Sequence, residues 1–449
     1  MVVNSRETIL DILTEVFEKD GYSNITINKY LKLKKDLDPR EENFIREIVY
    51  GIIENNIYLE FIISKASKIK INKIHPTIKT ILKIGIYQLV FMDRMPHRAA
   101  VNETVNLVKK HGHRGTIGFV NGILRNISRD KEKYITIHDK NPVDSISIRY
   151  SHPKWLVRKW IEEYGEKFTE ELCKANNETP RLNLRVNTLK TSKYDLKQSL
   201  LNKGYNVEDG RYADDILIVD NPIRLTNITE YREGLFTIQD ESSALVGQII
   251  NPLPGSTVID MCSAPGGKST HLAQIMKNKG KILSLDIHQH KIKLIKDNAK
   301  RLGIDIIESY VEDAEKFNKE FVNMADYVLV DAPCTGFGLI RRKPEIKINR
   351  KEEDIKELAS IQWTILNNAK EYVKLGGILF YSTCTITKEE NTDLIRRFID
   401  INPNFKLVNI RNTINNFEDY NSLDKGCVQL FPHIHHTDGF FYAKLIKER

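Results

Sequence analysis

The spacing of apolar residues divides the chain into a helical first part and a later part in which strands alternate with helices. From Glu7 to about Asn126, apolar residues recur every three or four positions, as on one face of an α-helix. The first such face consists of Ile9, Leu10, Ile12, Leu13, Val16 and Phe17. Pro39, Pro76 and Pro96 stand near plausible helix starts, where a missing N–H costs little. The pattern predicts an all-α N-terminal domain, residues 1–139.

Residues 140–236 have a mixed pattern that predicts a small α+β connector. We expect a helix at 155–164, a strand at Leu182–Val186 and a helix at Lys193–Asn202, followed by short strands. From residue 237 to 449, strands alternate with helices, which is typical of a doubly wound, Rossmann-like α/β domain with a parallel sheet. Its expected strands are 257–260, 281–287, 304–311, 327–331 and 378–382, with a last strand at 440–445.

Charge and composition restrict the classes of partner that the protein is expected to bind. The net charge is +8, and residues 1–140 hold 24 Lys and Arg against 17 Asp and Glu, a net of +7. Such an excess suits a polyanion such as RNA, although a basic surface that is simply solvated has the same composition. No apolar run approaches the roughly 20 residues that span a bilayer, and no secretory signal pattern begins the chain. We therefore expect no membrane association and a cytoplasmic location.

Five cysteines are scattered over the chain without a Cys-x-x-Cys pair, so we expect no disulfides. The commonest role of a single cysteine is that of a small buried hydrophobe. We assign this role to Cys173 and Cys427, and we expect Cys262 to pack beside the loop described next.

A turn of small residues follows the first expected strand of the α/β domain and opens a helix. It reads Met261-Cys-Ser-Ala-Pro-Gly-Gly-Lys-Ser-Thr270, in which Gly266 and Gly267 let a ligand approach the backbone. Ligands of open α/β sheets bind beyond the carboxyl ends of strands, where this turn lies. Asp286, near the end of the second strand, could accept hydrogen bonds from a ribose diol, and Asp313, after the third, could meet an adenine amino group. The pattern predicts a cofactor site.

An NTPase is the main alternative at this turn. Gly267-Lys-Ser269 resembles the end of a phosphate-binding P-loop, and Tyr327-Val-Leu-Val-Asp331 resembles a magnesium-binding strand. However, the P-loop spacing requires a glycine where Cys262 stands, and Pro265 removes an N–H that would face a phosphate. These departures favour the ribose-binding interpretation.

Two cysteines stand just beyond later strands, in Asp331-Ala-Pro-Cys334 and Ser382-Thr-Cys384, so both thiols should emerge at the ligand-bearing edge of the sheet. Attack on C6 of a cytosine requires a soft nucleophile, and it turns C5 into a carbanion-like centre that takes a methyl group from a sulfonium. Asp331 is the candidate acid toward ring N3, if it is protonated or shares a proton with the base. The second thiol could then help to remove the C5 proton.

Zinc is a further alternative, in which Cys334 and Cys384 would combine with His433, His435 and His436. Structural zinc sites usually supply their ligands in close pairs, and these two cysteines lie far apart in the sequence without such partners. We therefore predict no metal site, and we expect the histidines to lie in a loop before the last strand.

At these residues the chain resembles the RNA cytosine-5 methyltransferases of the Sun family. The resemblance covers essentially the whole chain. It rests on Pro265-Gly-Gly-Lys268, Asp331-Ala-Pro-Cys-Thr-Gly336, Ser382-Thr-Cys-Thr385 and Asp438-Gly-Phe-Phe441, with Leu184-Arg-Val-Asn187 and Gln239-Asp240 as further landmarks.

The resemblance implies a methyltransferase that uses S-adenosylmethionine and acts on 16S ribosomal RNA, either naked or at an early stage of assembly. It assigns the nucleophile to Cys384 and product release to Cys334. It also implies cofactor contacts from Cys262, Ser263, Ala264, Pro265, Gly266, Gly267 and Lys268, together with Asp286, Asp313 and Asp331. We further expect a monomer.

The N-terminal segment resembles the antitermination factor NusB, an all-helical RNA-binding fold. The resemblance rests on Lys79-Thr-Ile-Leu-Lys-Ile-Gly85, Ala100-Val-Asn-Glu103 and Gly118-Phe-Val-Asn-Gly122. It leaves open a second hypothesis, a non-catalytic RNA-binding or antitermination factor that retains a methyltransferase fold. The presence together of Asp331, Cys334 and Cys384 argues against it, since a decayed enzyme has no physical need for two thiols and an acid at strand ends.

Overall fold

Two units, each with its own core, make up the protein. The computed structural model describes residues 5–19, 21–34, 37–220 and 225–449. One unit comprises Met1–Glu178 and Ile340–Arg350, and the other comprises Thr179–Leu339 and Lys351–Arg449. The domain limits after residues 139 and 236 stay predictions, because this division groups the chain differently.

The first unit is helical, as its apolar spacing predicts. Its core is built from the buried faces of helices α1 to α7, among them Ile9, Ile48, Ile81 and Leu124. Pro39 begins α3 and Pro76 begins α5, and the Asp38 carboxylate caps α3 by accepting a hydrogen bond from the Arg40 N–H at 2.7 Å. The helices are α1 Ser5–Glu18, α2 Ser23–Lys32, α3 Pro39–Glu54, α4 Asn56–Ala66, α5 Pro76–Phe91, α6 His97–His111, α7 Arg114–Arg129, α8 Lys131–Ile135, α9 Pro142–Tyr150, α10 Lys154–Tyr164 and α11 Glu166–Ala175.

The second unit begins with a four-stranded antiparallel sheet of order β2-β3-β1-β4, whose buried face packs Leu184, Val186 and Phe236. The expected strand β1 and helix α12 have the predicted bounds. The elements are β1 Leu182–Val186, α12 Lys193–Asn202, β2 Asn206–Asp209, β3 Ile216–Asp220, α13 Thr229–Arg232 and β4 Phe236–Ile238.

The rest of the chain builds an eight-stranded sheet in the order β10-β12-β9-β8-β5-β6-β7, with β11 paired to β12. Its strands are β5 Thr257–Asp260, β6 Lys281–Asp286, β7 Ile307–Val311, β8 Ala325–Asp331, β9 Val373–Thr383, β10 Phe405–Leu407, β11 Cys427–Leu430 and β12 Phe440–Lys447. The accompanying helices are α14 Glu241–Ile250, α15 Gly267–Ile275, α16 Gln289–Leu302, α17 Ile346–Asn349, α18 Glu353–Tyr372, α19 Thr392–Ile401, α20 Tyr420–Asp424 and α21 Pro432–His435. Short 3₁₀ turns occupy Ile71–Lys73, Leu225–Asn227, Lys319–Phe321, Phe337–Leu339 and Arg411–Thr413.

The Rossmann-like prediction is confirmed for the five strands β5 to β9, which run parallel to one another. The last predicted strand, β12, runs antiparallel to β9, and it pairs with two strands, β10 and β11, that the sequence did not predict. Both are short, at 3 and 4 residues, so their hydrophobic alternation is too brief to stand out. Among the described residues, no helix has the length and apolarity that a membrane crossing requires.

Helix α17 and its flanking residues leave the α/β part of the chain and belong to the helical unit. The Glu345 carboxylate accepts hydrogen bonds from the Ser23 N–H at 3.2 Å and the Ser23 hydroxyl at 2.8 Å. The Lys347 ammonium donates to the Glu54 carbonyl at 2.8 Å and to the Asn177 side chain at 2.9 Å. Burial lowers the pKa of Lys347 to about 8, although the nearby Glu54 carboxylate opposes this shift. These polar contacts fix the segment in its unit.

Gly234 should tolerate no side chain, because it lies in a left-handed turn, φ +74°, against α16. A Cβ at this position would lie 2.0 Å from the Arg301 carbonyl oxygen. We predict that Gly234→Ala lowers the free energy of unfolding by about 2–4 kcal/mol, from the positive φ and the clash together. Equilibrium urea unfolding measures this loss.

Gly204 provides a matched control, since it has φ +83° and an added Cβ there would meet nothing within 4 Å. Gly204→Ala should cost only about 1–2 kcal/mol. Equal losses for the two variants would show that the close approach to Arg301 does not constrain the turn.

Candidate active site

The candidate site lies at the carboxyl edge of the parallel strands, where the strand order reverses. From β5 the chain builds β6 and β7 on one side, and then it returns to place β8 and β9 on the other. Ligands of open α/β sheets bind at such a switch point. The loops after β5 and β8, which contain the predicted cofactor turn and Cys334, therefore lie next to each other.

The turn after β5 is held by its own backbone and by β6. The Ser263 N–H and hydroxyl both donate to the Leu285 carbonyl, at 2.8 and 2.9 Å. Gly266 has φ +93°, and its added Cβ would lie 3.2 Å from the Ile295 backbone, so this position favours glycine. At the end of β5, burial raises the pKa of Asp260 to about 7, although the Ser269 hydroxyl donates to it at 2.6 Å. The sequence therefore forms a fixed turn that can present its backbone to a ligand.

A cavity of about 350 Å³ opens beside this turn, within the size range of small-molecule sites, ~300–1,000 Å³. It brings together seven of the predicted residues, namely Cys262, Ala264, Asp286, Asp313, Asp331, Cys334 and Cys384. Its position between the acidic ends of β6 and β8 suits a nucleoside ligand with hydroxyl and amino groups to be recognised. The structure therefore places these seven residues together at one edge of the sheet.

Four predicted cofactor residues, Ser263, Pro265, Gly266 and Gly267, do not line the cavity. They belong to the backbone of the turn on the side away from the cavity, where Ser263 is hydrogen-bonded to the Leu285 carbonyl of β6. The sequence prediction also missed part of the wall, which includes His288 and Lys291 beyond β6, Glu312 after β7, and Ile361 and Ile365 of α18. The apolar residues of α18 have a helical period that signals burial but not which ligand they would face.

Lys268 does not line the cavity either, and its ammonium lies 2.6 Å from one carboxylate oxygen of Asp331. The other oxygen accepts a hydrogen bond from the Ser382 hydroxyl at 2.9 Å. Burial by itself would lower the pKa of Lys268, but the attraction and hydrogen bond of Asp331 outweigh burial and raise it. The lysine therefore stays positively charged beside the cavity, and both side-chain oxygens of Asp331 are engaged in hydrogen bonds.

This pairing argues against the NTPase alternative. In a P-loop the lysine is open to phosphate and the following hydroxyl faces magnesium. Here Lys268 is paired with Asp331, and the Ser269 hydroxyl is fully buried on Asp260.

The two candidate thiols are in contact, with the Cys334 and Cys384 sulfur atoms 3.1 Å apart. The hydrogen bond with Cys384, burial, and the nearby negative charges together raise the pKa of Cys334 well above its ordinary value. Cys334 therefore keeps its proton at neutral pH. Lys268 lies close enough to Cys384 for a thiolate there to favour the ammonium form of the lysine.

The remaining cysteines have no such surroundings. Cys173 is fully buried, and burial raises the pKa of the Cys173, Cys262 and Cys427 thiols. The assignment of Cys173 as a buried hydrophobe is confirmed, and Cys262, which lines the cavity, is not an activated thiol.

The expectation of a loop for the histidines of the zinc alternative is wrong: His433 and His435 lie in the short helix α21, and His436 caps its end before β12. The His435 ring stacks on Phe417 with centroids 5.2 Å apart, and its Nδ1 accepts a hydrogen bond from the Phe431 N–H at 2.9 Å. Over the described part of the chain, no group of three or more His, Cys, Asp and Glu side chains is arranged to hold a metal ion.

Arg185 of β1 supports the cofactor turn from the small sheet. Its guanidinium donates to the Gly267 carbonyl at 2.6 Å, to the Thr270 hydroxyl at 3.0 Å and to the Gln239 side chain. Arg185 and Gln239 belong to the two landmark motifs of the sequence, but their position beside the turn was not predicted. The side chain is 1% exposed, so the start of α15 rests on a buried cation.

Three family models match the chain in succession. Residues 3–129 match the NusB family, residues 152–226 match the ferredoxin-like domain of RsmF/B-like methyltransferases, and residues 247–446 match the 16S rRNA methyltransferase RsmB/F model.

Curated relatives match the chain over nearly its full length. A probable ribosomal RNA small subunit methyltransferase B of Bacillus subtilis is 38% identical, covering 99% of this chain and 98% of the relative. A protein of the same description from Synechocystis is 34% identical, covering 99% and 100%. Among solved structures, PH0851 has a TM-score of 0.83 at 28% identity and 100% coverage of both chains. A methyltransferase homolog protein from Pyrococcus horikoshii has a TM-score of 0.60 at 30% identity, covering 69% of this chain and 99% of its own.

Replacing Arg185 should weaken cofactor binding, although the side chain does not line the cavity. Arg185→Met removes the donors to Gly267 and Thr270 and leaves buried acceptors unpaired, each at a cost of ~1–3 kcal/mol. We predict a loss of about 2–4 kcal/mol in stability and roughly tenfold weaker binding of S-adenosylmethionine, measured by calorimetric titration.

Arg181→Met is the matched control. Arg181 lies just before β1 in the same sheet, but it is half exposed and pairs with Glu208 and Asp220. Its replacement should cost less than about 1 kcal/mol and leave cofactor affinity unchanged. Unchanged affinity in Arg185→Met as well would refute the supporting role of Arg185.

Proposed function

The chain belongs to the family of ribosomal RNA small subunit methyltransferases B, and on this premise we propose that it methylates C5 of a cytosine in 16S ribosomal RNA. The methyl donor is S-adenosylmethionine. The contact between the Cys334 and Cys384 sulfurs, at the edge of the cofactor cavity, is the observation that carries the proposal. A transfer to a ring nitrogen or a ribose hydroxyl would give neither thiol a task.

In the first step the Cys384 thiolate attacks C6, forming an S–C6 bond, and the electrons of the C5–C6 double bond move toward C5 and N3. The ring therefore needs a positive charge or a proton near N3. The Lys268–Asp331 pair is suitably placed beside Cys384 to supply it, and the ammonium is the source of positive charge. This refines the sequence-based assignment, in which Asp331 alone was the acid.

In the second step C5 takes the methyl group, which the bound cofactor supplies as an electrophile on its sulfonium. The C5 proton must then leave, so that the electrons of the C5–H bond reform the double bond and expel the Cys384 thiolate. Cys334 lies next to Cys384 and is assigned to this release. Because Cys334 holds its own proton at neutral pH, it must first pass that proton on. The Cys384 sulfur is bonded to C6 at this stage, so the nearby Asp331 carboxylate is the acceptor at hand.

Replacing the two cysteines should block the reaction at different steps. Cys384→Ala should reduce methyl transfer roughly a thousandfold or more and form no covalent adduct, with cofactor binding intact. Cys334→Ala should accumulate a covalent protein–RNA adduct that is visible on a denaturing gel. Methyl incorporation into 16S ribosomal RNA, mapped by bisulfite sequencing, measures the first effect.

Cys427→Ala, at a partly buried cysteine of β11 outside the cavity, is the control and should retain activity. Persistent methylation by Cys384→Ala would refute the nucleophile assignment. The absence of an adduct in Cys334→Ala would remove the release step from Cys334.

The helical unit offers a surface for the RNA. A groove between α6 and α7 is lined by Arg98, Arg125 and Arg129, with His97 and Ser128 at its side. Among the described residues, none of the three arginines lies within ion-pair distance of a carboxylate, and all three line the groove. Guanidinium groups in such an arrangement suit the phosphates of an RNA strand. We assign RNA docking to this arginine groove.

Replacing Arg98, Arg125 and Arg129 with Gln should weaken RNA binding and reduce its salt dependence. Each lost phosphate contact lowers the slope of log K against log salt by about 0.7–0.9, so the triple variant should lose about 2. Filter binding over a range of salt concentrations measures the slope, while kcat at saturating RNA should stay near its original value.

A matched triple replacement distinguishes phosphate binding in this groove from a general effect of the net charge. Lys29, Arg46 and Lys110 are also cations of the helical unit, but each is paired with a glutamate, at 2.9, 2.9 and 3.0 Å. Their change to Gln removes the same charge and should alter the slope far less. Equal effects of the two triples would refute the groove as the docking site.

A further inference from the structure

Two polar residues in the segment between β9 and α19, Glu390 and Asn391, take no part in the reaction steps described above. They precede α19, they are 0% and 1% exposed, and they do not line the cofactor cavity. A buried carboxylate is costly unless it is well hydrogen-bonded. Its partners therefore show what the residue does in the fold.

Glu390 accepts four hydrogen bonds, two of them from the residue that follows Cys334. One carboxylate oxygen accepts from the Thr335 N–H and from the Gln362 amide, both at 2.9 Å. The other accepts from the Thr335 hydroxyl at 2.5 Å and from the Thr387 hydroxyl at 2.6 Å. The backbone and side chain of Thr335 are thus both fixed to one carboxylate.

The same network reaches the residue that follows Cys384. The hydroxyl oxygens of Thr335 and Thr385 lie 2.7 Å apart. Because the single hydroxyl proton of Thr335 is directed to Glu390, Thr385 is the donor in this bond. A hydrogen-bonded chain therefore joins the loop after β8 to the loop after β9, one residue beyond each thiol.

Asn391 holds the residues on both sides of Cys384. Its side-chain oxygen accepts from the Thr383 hydroxyl at 2.6 Å, and its amide donates to the Thr385 carbonyl at 3.1 Å. The amide also donates to the Gln429 side chain of β11 at 2.7 Å, which fixes Asn391 itself.

We propose that Glu390 and Asn391 are the positioning residues that hold the Cys334 and Cys384 sulfurs in contact, so that both can act on adjacent carbons of one pyrimidine ring. The inference rests on the two-thiol reaction proposed above. Nucleophile and base must reach C6 and C5 of the same base, and a misplacement of about 1 Å in such an arrangement costs roughly 100-fold in rate. The network fixes the relative position of the two loops, and neither residue lines the cavity.

Glu390→Gln and Glu390→Ala separate position from charge. In Glu390→Gln the amide oxygen can accept from Thr335 N–H and Gln362, while its NH₂ donates to the hydroxyls of Thr335 and Thr387, which reverse. Every hydrogen bond is kept, so kcat should stay within about threefold of the original. Glu390→Ala removes the link, and kcat should fall roughly 100-fold with the KM for RNA and the affinity for S-adenosylmethionine unchanged. If Glu390→Gln lost as much activity as Glu390→Ala, charge rather than position would be the role.

Two threonine variants test the same link without removing the buried Glu390 side chain. Thr335→Val and Thr387→Val each remove one buried hydroxyl that donates to the same oxygen of Glu390. Only Thr335 also joins the second loop through Thr385. Thr335→Val should therefore lower kcat about tenfold or more, whereas Thr387→Val should change it less than threefold at a similar loss of thermal stability. Equal kinetic effects would overturn the proposal.

A measurement without RNA keeps this inference separate from the proposed reaction. Dibromobimane bridges two thiols only when both are close, and mass spectrometry identifies the bridged Cys334 and Cys384 peptides. Bridging should be rapid in the original protein and in Glu390→Gln, and at least tenfold slower in Thr335→Val and Glu390→Ala. Bridging as rapid as in the original protein in both Thr335→Val and Glu390→Ala would refute the positioning role. If instead bridging changed as expected but Cys334→Ala accumulated no RNA adduct, the two-thiol reaction itself would be wrong.

Discussion

The contact between two sulfur atoms depends on the register of two parallel strands. In the pairing of β8 with β9, Asp331 lies opposite Ser382, so the chain leaves both strands at the same level of the sheet. Cys334 follows three residues after Asp331, and Cys384 follows two residues after Ser382. A slip of one residue would turn every side chain of a strand to the opposite face and would separate the thiols. The buried side chains of Val328, Val330 and Leu379 hold this register.

The charges at the same edge of the sheet give the side chains there different chemical properties. Lys268 and Asp331 form an ion pair beside the cavity, which keeps a cation near the place where negative charge develops on the ring. The hydrogen bond with Cys384, burial and nearby negative groups raise the pKa of Cys334, whereas Lys268 lies near Cys384. The two thiols are therefore chemically different although they touch, as a reaction with one nucleophile and one proton carrier requires.

Much of this arrangement could be predicted from the sequence because it is local. Strand patterns lead directly to the turn Cys262–Lys268, to the acids at the end of β6 and after β7, and to the cysteines after β8 and β9. What could not be predicted are interactions between distant positions, such as Arg185 with Gly267 or Glu390 with Thr335, since a local pattern contains no information about partners so far away in the chain. The same limit applies to Glu345 and Lys347, which lie within the sequence of the catalytic part but pack into the helical unit. The short strands β10 and β11 were missed because they offer too few residues for a period to emerge.

The central claim is that the Cys384 sulfur bonds to C6 of a cytosine. An RNA substrate with 5-fluorocytosine at the target position tests it most directly, because fluorine at C5 cannot leave as a proton does, and the adduct persists after methyl transfer. Peptide mapping by mass spectrometry then identifies the modified residue. The account predicts that a methylated fluorocytidine is attached to the peptide with Cys384. Attachment to Cys334, or no attachment while unsubstituted RNA is methylated normally, would contradict it.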